Sequence, residues 1–149
     1  MTNFPSATNT RSVSQRLIDE LAASDAVRAS VAYAQALGAA VNVAVVDVSG
    51  VQVAFLRMQG APLHSIDIAI DKAYTAASFG LPTSQWHGAL QEHSEAVREG
   101  LVLRARFVAF GGGLPILENG ERIGGIGVSG GSEQQDEAIA LAGLKAIGL

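Results

Sequence analysis

Six side chains in the middle of the sequence are the ones most able to do chemistry: Arg57, Asp67, Asp71, Lys72, Thr75 and Thr83. An Arg and a Lys that converge on one pocket recognise a carboxylate, the guanidinium through its planar fork and the ammonium as a point charge. A Lys among apolar neighbours also has its pKa lowered by desolvation and can act as a base. Lys72 sits in such a run, IDIAIDKAYTAA. The chemistry this predicts is proton transfer on a small carboxylate. Arg57 would grip the substrate, Lys72 would move the proton, and Asp67 would join them as a catalytic candidate. The competing reading makes Asp67 and Asp71 partners of nearby cations in surface ion pairs, which contribute little.

The remaining reactive residue types narrow the field. His64, His87 and His93 are the only histidines. The last two are six apart, which puts them on different faces of a helix, so the spacing argues against a three-His metal site. His64, just before a long helical pattern, stays a ligand-binding candidate. There is no Cys, which removes disulfides, thiolate metal sites and a Cys nucleophile together. Ser129 lies in GVSGG, too late in the chain for a nucleophile elbow that is followed by Asp and His.

Gly125, Gly127 and Gly130, inside GGIGVSGGS, spell the G-x-G-x-x-G of a dinucleotide turn. That turn works between the first strand and the helix of a parallel unit, with an acidic residue about 20 positions later. Only 19 residues follow Gly130, so there is no room for the second strand. Close packing of a helix or backbone against a strand explains Gly124, Gly125 and Gly127 better. Backbone N–H groups around Gly131 to Glu133 at a helix start could still hold a small anion. Gly127, Ser129 and Gly130 are therefore kept as ligand-binding candidates.

The elements that must position these residues follow from periodicity. Val13, Leu17, Ile18 and Leu21 recur at helical spacing, and a second helix is expected from Asp25 to Leu37, with Ser24 as N-cap and Gly38 as stop. VNVAVVDV (41–48) and VQVAFLRM (51–58) flank Ser49-Gly50 and predict an antiparallel hairpin. A helix is expected over Ser65 to Phe79, with Ile66, Ala69, Ile70, Ala73 and Ala77 as its apolar stripe. Gly80 and Pro82 end it. Thr83 is expected to cap a shorter helix running to about Ala96. RFVAF (106–110), LPIL (114–117) and RIGGIGVSG (122–130) are strand candidates, the last two joined by Asn119-Gly120. Ser132 and Gln135 form a capping-box pattern that opens a final helix. The fold class predicted is α+β: one five-stranded antiparallel sheet between layers of helices. Residues 1–12 read as a flexible arm and 13–149 as a single domain.

Composition bounds the partners. Hydrophobic residues make up 48% of the 149 and charged residues 16%, with a formal net charge of −4. Ten scattered Lys and Arg do not form the concentrated patch that nucleic acid or an anionic membrane needs. No secretory signal or membrane-spanning run is visible, so a cytoplasmic protein is expected. The low surface charge predicts a homo-oligomer.

Three ordered blocks then carry a resemblance: VNVAVVDVSG, RMQGAPLHSIDIAIDKAYTAASFGLPTS and GGGLPILENGERIGGIGVSGGSEQQDEAIALAGL. They resemble the GlcG/HbpS family, which includes the C-terminal domain of the adenosyltransferase PduO. The resemblance covers about Val41 to the C-terminus and implies a profilin-like fold, oligomeric assembly and haem or another tetrapyrrole as ligand. It implies that the Thr83 hydroxyl can approach haem iron, with Lys72, Thr75 and Arg57 lining the pocket. Some relatives use a His in the N-terminal helix as haem ligand, and 13–38 contains none. Three functions are thus set against one another: a haem-binding protein, a cofactor-independent isomerase, tautomerase or lyase of a small carboxylate, and a ligand-free scaffold.

Overall fold

The structure, a computed structural model, describes residues 10–149. The arm expected over 1–12 lies outside the described residues except at its last three positions. Residues 12–19 form no regular element, and helix α1 spans Glu20–Leu37. The helix expected from Val13 to Leu21 is therefore not formed there. Its apolar spacing has another cause: Ile18 alone is buried, and its N–H donates to the Ile123 carbonyl at 3.0 Å, while Val13 and Leu17 face solvent. The helix starts where a cap allows it. Asp19 accepts from the N–H groups of Leu21 and Ala22, a stronger start than Ser24 because it satisfies two orphan donors. Gly38 ends α1 with φ 72°, as expected.

Strands β1 (Asn42–Asp47) and β2 (Gln52–Arg57) form the first hairpin. Helix α2 (His64–Phe79) follows, then a 3-10 turn (Thr83–Gln85) and two short helices, α3 (Trp86–Gln91) and α4 (Glu95–Leu101). The single helix expected from Thr83 to Ala96 is thus three pieces, because Ser94 caps a new start by accepting from the Val97 N–H. Strands β3 (Gly113–Glu118) and β4 (Glu121–Ser129) form the second hairpin. Asn119 and Gly120 both take positive φ, 52° and 79°, which a tight hairpin turn requires. Helix α5 (Glu133–Ala146) opens with the Ser132–Gln135 capping box.

The fold is α+β, and among the described residues its antiparallel sheet has four strands in the order β2-β1-β4-β3, not five. RFVAF is the segment that does not become a strand. Arg106 adopts φ 67°, its carbonyl accepts from the Thr75 hydroxyl at 2.9 Å, and the Val108 N–H donates to Thr75 Oγ1 at 3.1 Å. A side chain of α2, not a neighbouring strand, takes this segment's backbone bonds. Helices α1 and α5 pack on one face of the sheet and α2 on the other. The larger core lies under α1 and α5, around Val43, Val45, Ile126, Val128 and Ile139.

Glycine decides how close α2 comes. Gly125 and Gly127 face it, and a Cβ on Gly127 would overlap the Ala69 carbonyl and come within 2.5 Å of the Ala73 nitrogen. Close packing is what these glycines provide. Among the described residues no helix is long and apolar enough to cross a membrane.

Candidate functional site

Two regions gather the residues singled out above, and they differ in access. The first is buried. Lys72 is 1% exposed; its ammonium donates to the Val128 carbonyl at 2.8 Å and pairs with Asp136 at 3.1 Å. Burial pushes its pKa below the ordinary lysine value, and the Asp136 and Glu133 carboxylates pull it part of the way back. Asp136 also accepts from the Gly131 N–H, and Glu133 from the Gly111 N–H. Thr83 is fully buried beside this cluster, with its hydroxyl accepting from the Gly113 N–H at 2.8 Å. Together they pin the Gly111–Gly112–Gly113 turn to α2 and α5.

The sequence candidates do not all meet there. Arg57 lies on the edge strand β2, two strands away from the β4 that receives Lys72, and its guanidinium donates to the Ala61 carbonyl at 2.6 Å. Arg57 and Lys72 share no hydrogen-bond or ion-pair partner among the described residues. Asp67 and His64 are exposed on the first turn of α2. Gly127 is covered by α2, Ser129 is buried opposite Asn42, and Gly130 is half-buried beside Ala40. The N–H groups of Gly131 and Ser132 are taken by Asp136 and Gln135. Among the described residues no group of three or more His, Asp or Glu is placed to hold a metal ion.

The second region is open. A cleft of about 260 Å³ lies between α2 and the segment after α4, lined by Tyr74, Thr75, Phe79, Arg104, Arg106 and Phe107 among others. Phe79, Trp86 and Phe107 form an edge-to-face cluster behind it, with centroids 4.9 to 6.0 Å apart. The indole N–H of Trp86 is buried and has no partner among the described residues. Arg106 is held from three sides. Its Nε pairs with Asp71 at 3.1 Å, its guanidinium lies 3.6 Å over the Tyr74 ring, and Thr75 holds its carbonyl. A non-glycine residue at positive φ is costly and persists where surroundings over-determine it.

Apolar ring faces with two Arg at the rim suit a flat, largely apolar ligand that carries carboxylates. Sequence reasoning had Thr75 and Asp71 from this region but missed Tyr74, Arg104, Arg106 and the aromatic cluster. Only the crowding of three aromatics, in a chain with five Phe, one Trp and two Tyr, could have signalled it.

A family model described as "Haem degrading protein HbpS-like" matches residues 18–145. The corrinoid adenosyltransferase PduO of Salmonella typhimurium is 37% identical over 120 residues, 80% of this chain and 36% of PduO. The chain thus spans about a third of that relative's length. A crystal structure of HbpS superposes with TM-score 0.84 at 32% identity, covering 93% of this chain and 96% of HbpS. A PduOC–haem complex superposes with TM-score 0.81 at 33% identity, covering 89% of this chain and 96% of the other.

Proposed function

This chain belongs to the HbpS-like family, and from that premise we propose that it binds haem or a closely related tetrapyrrole in the open cleft beside α2. The observation that carries the reading is the cleft's lining: Phe79 and Phe107 present apolar rings, and Arg104 and Arg106 stand at the rim. A tetrapyrrole offers the complement, an apolar plane with carboxylate side chains. The likeness to a PduOC–haem complex supports the same ligand class.

The donor set fits the group. Phe79 and Phe107 would shield one edge of the ring from water, and the two guanidiniums would hold its carboxylates. Bound haem would supply redox or ligand-binding chemistry at its iron; the protein's part is to hold and orient it. The cleft is smaller than the roughly 300–1,000 Å³ of a drug-sized site, so it takes one edge of the ring. Val97 on α4 and Val102 and Leu103 just after it are exposed, and a second copy of this chain packed against them would cover the rest of the ring. The small-carboxylate alternative requires Arg57 and Lys72 on one substrate, whereas Lys72 is buried against β4 and Arg57 lies on β2, two strands away.

Recognition through the carboxylates has a direct test. Haemin and its dimethyl ester are titrated into the wild type and into Arg104→Ala/Arg106→Ala. The reading predicts tighter binding of haemin than of the ester in the wild type, and no preference in the double variant. Equal affinities for both compounds in the wild type would contradict it.

A further inference from the structure

We infer that residues 102–112 form a strap that opens as a unit to uncover the Lys72 amine, and that a ligand in the open cleft holds it shut. The opening stands without the haem reading; only its control by haem rests on that proposal. The segment joins α4 to β3 with no helix or strand of its own. Among the described residues, its backbone from 105 to 111 bonds to the rest of the protein through two side chains alone. The Thr75 hydroxyl donates to the Arg106 carbonyl at 2.9 Å and accepts from the Val108 N–H at 3.1 Å. Glu133 accepts from the Gly111 N–H at 3.0 Å. The Arg106–Asp71 ion pair is a third tie, partly exposed and therefore weak. Of residues 102–110 only Val108 is buried, and Phe107 adds ring contacts with Phe79 and Trp86. Arg106 at φ 67° carries backbone strain that opening relieves. Few buried apolar contacts and a backbone held by side chains put this segment at the low-stability end of the fold.

Gly112 and Phe110 are the strap residues that close over Lys72. A Cβ on Gly112 would sit 2.5 Å from the Lys72 Nζ, and the Phe110 ring centroid lies 5.1 Å from the same atom. Phe110 itself is exposed. The other partners of the ammonium, Val128 and Asp136, belong to β4 and α5, so the strap supplies the wall that can move. Its other end forms one side of the open cleft: Arg104, Arg106 and Phe107 line it from the strap, and Tyr74, Thr75 and Phe79 line it from α2. A ligand seated there touches both α2 and the strap, so it binds the closed form better than the open one. Occupancy therefore raises the closed population by mass action. Lys72, on the inner side of α2, thereby reports on a ligand bound at the outer side.

The only lysines are Lys72 and the exposed Lys145. Acetylation of the full chain with sulfosuccinimidyl acetate, read by peptide mass spectrometry, therefore compares a covered amine with a free one in the same molecule. Rates are measured in urea below the unfolding transition, which the fluorescence of the single Trp86 follows. Strap opening exposes little surface, so the Lys72 rate should rise only weakly with urea. Thr75→Val removes both Thr75 bonds and should raise the Lys72 rate about tenfold. Thr75→Ser keeps the hydroxyl and should stay near wild type, with Lys145 unchanged in both variants. A Lys72 rate that climbs with the full urea dependence of global unfolding would overturn the strap, and the wild type alone decides this if Thr75→Val fails to fold. Haemin tests the control: Lys72 labelling should slow as the Soret band saturates. Saturable haemin binding with an unchanged Lys72 rate would overturn ligand control and leave both strap opening and haem binding standing. Absence of saturable binding would overturn the haem reading and its control of the strap, while the urea dependence still decides the opening.

Discussion

Lys72 was the most legible functional candidate in the sequence, and the structure gives it a structural partner. An apolar run marked it as buried, but its partner Asp136 is 64 positions away and no local pattern could pair them. Removing Lys72 alone leaves a buried carboxylate uncompensated, so Lys72→Met is predicted to cost about 3–5 kcal/mol in urea unfolding. Replacing both, Lys72→Met/Asp136→Leu, should recover most of that loss. The pair also sets a pH dependence. Burial holds the folded pKa of Lys72 below its ordinary 10.5, so between the folded value and 10.5 the unfolded chain binds the extra proton. Wild-type stability, measured relative to the double variant, should therefore rise with pH across that window and level off above it. A flat difference would mean that burial leaves the lysine unperturbed. Thr83 belongs to the same buried network. Thr83→Val removes the acceptor of the Gly113 N–H and should cost about 1–3 kcal/mol, while leaving the haemin spectrum unchanged.

Both hairpins, the α2 boundaries and the α5 capping box were legible because each is set by residues close in sequence. RFVAF and the Val13–Leu21 pattern were misread for the opposite reason. The first is held by Thr75 from another element, and the second has a single buried anchor, Ile18. Glycines in β4 were read correctly as a close approach. The helix that makes that approach is α2, which the dinucleotide spacing does not suggest. Gly127→Ala should push α2 off the sheet and destabilise by about 3 kcal/mol, the upper part of the overpacking range. Gly88→Ala is the matched control. Gly88 lies in α3 with nothing within 4 Å of an added Cβ, so alanine there should stabilise by about 0.5–1 kcal/mol. Equal effects in chemical denaturation would contradict the role given to β4.

On the scale of the whole molecule, α2 connects the two regions. Its inner side carries Lys72 into the buried network, and its outer side gives Tyr74, Thr75 and Phe79 to the open cleft. The cleft itself was illegible in the sequence because its walls come from α2 and from 101–107, which meet only after RFVAF turns away from the sheet. The single Trp86 packs directly behind that cleft, against Phe79 and Phe107, so it reports occupancy without a label. Haem binding is decided by one titration of purified wild-type protein with haemin, read by Soret absorbance and Trp86 fluorescence together. A saturable, sharpened Soret band and Trp86 quenching are expected to reach their end points at the same ratio, one haemin per chain or per pair of chains. A Soret signal that grows without saturation, with Trp86 emission unchanged after correction for absorbed light, would contradict it.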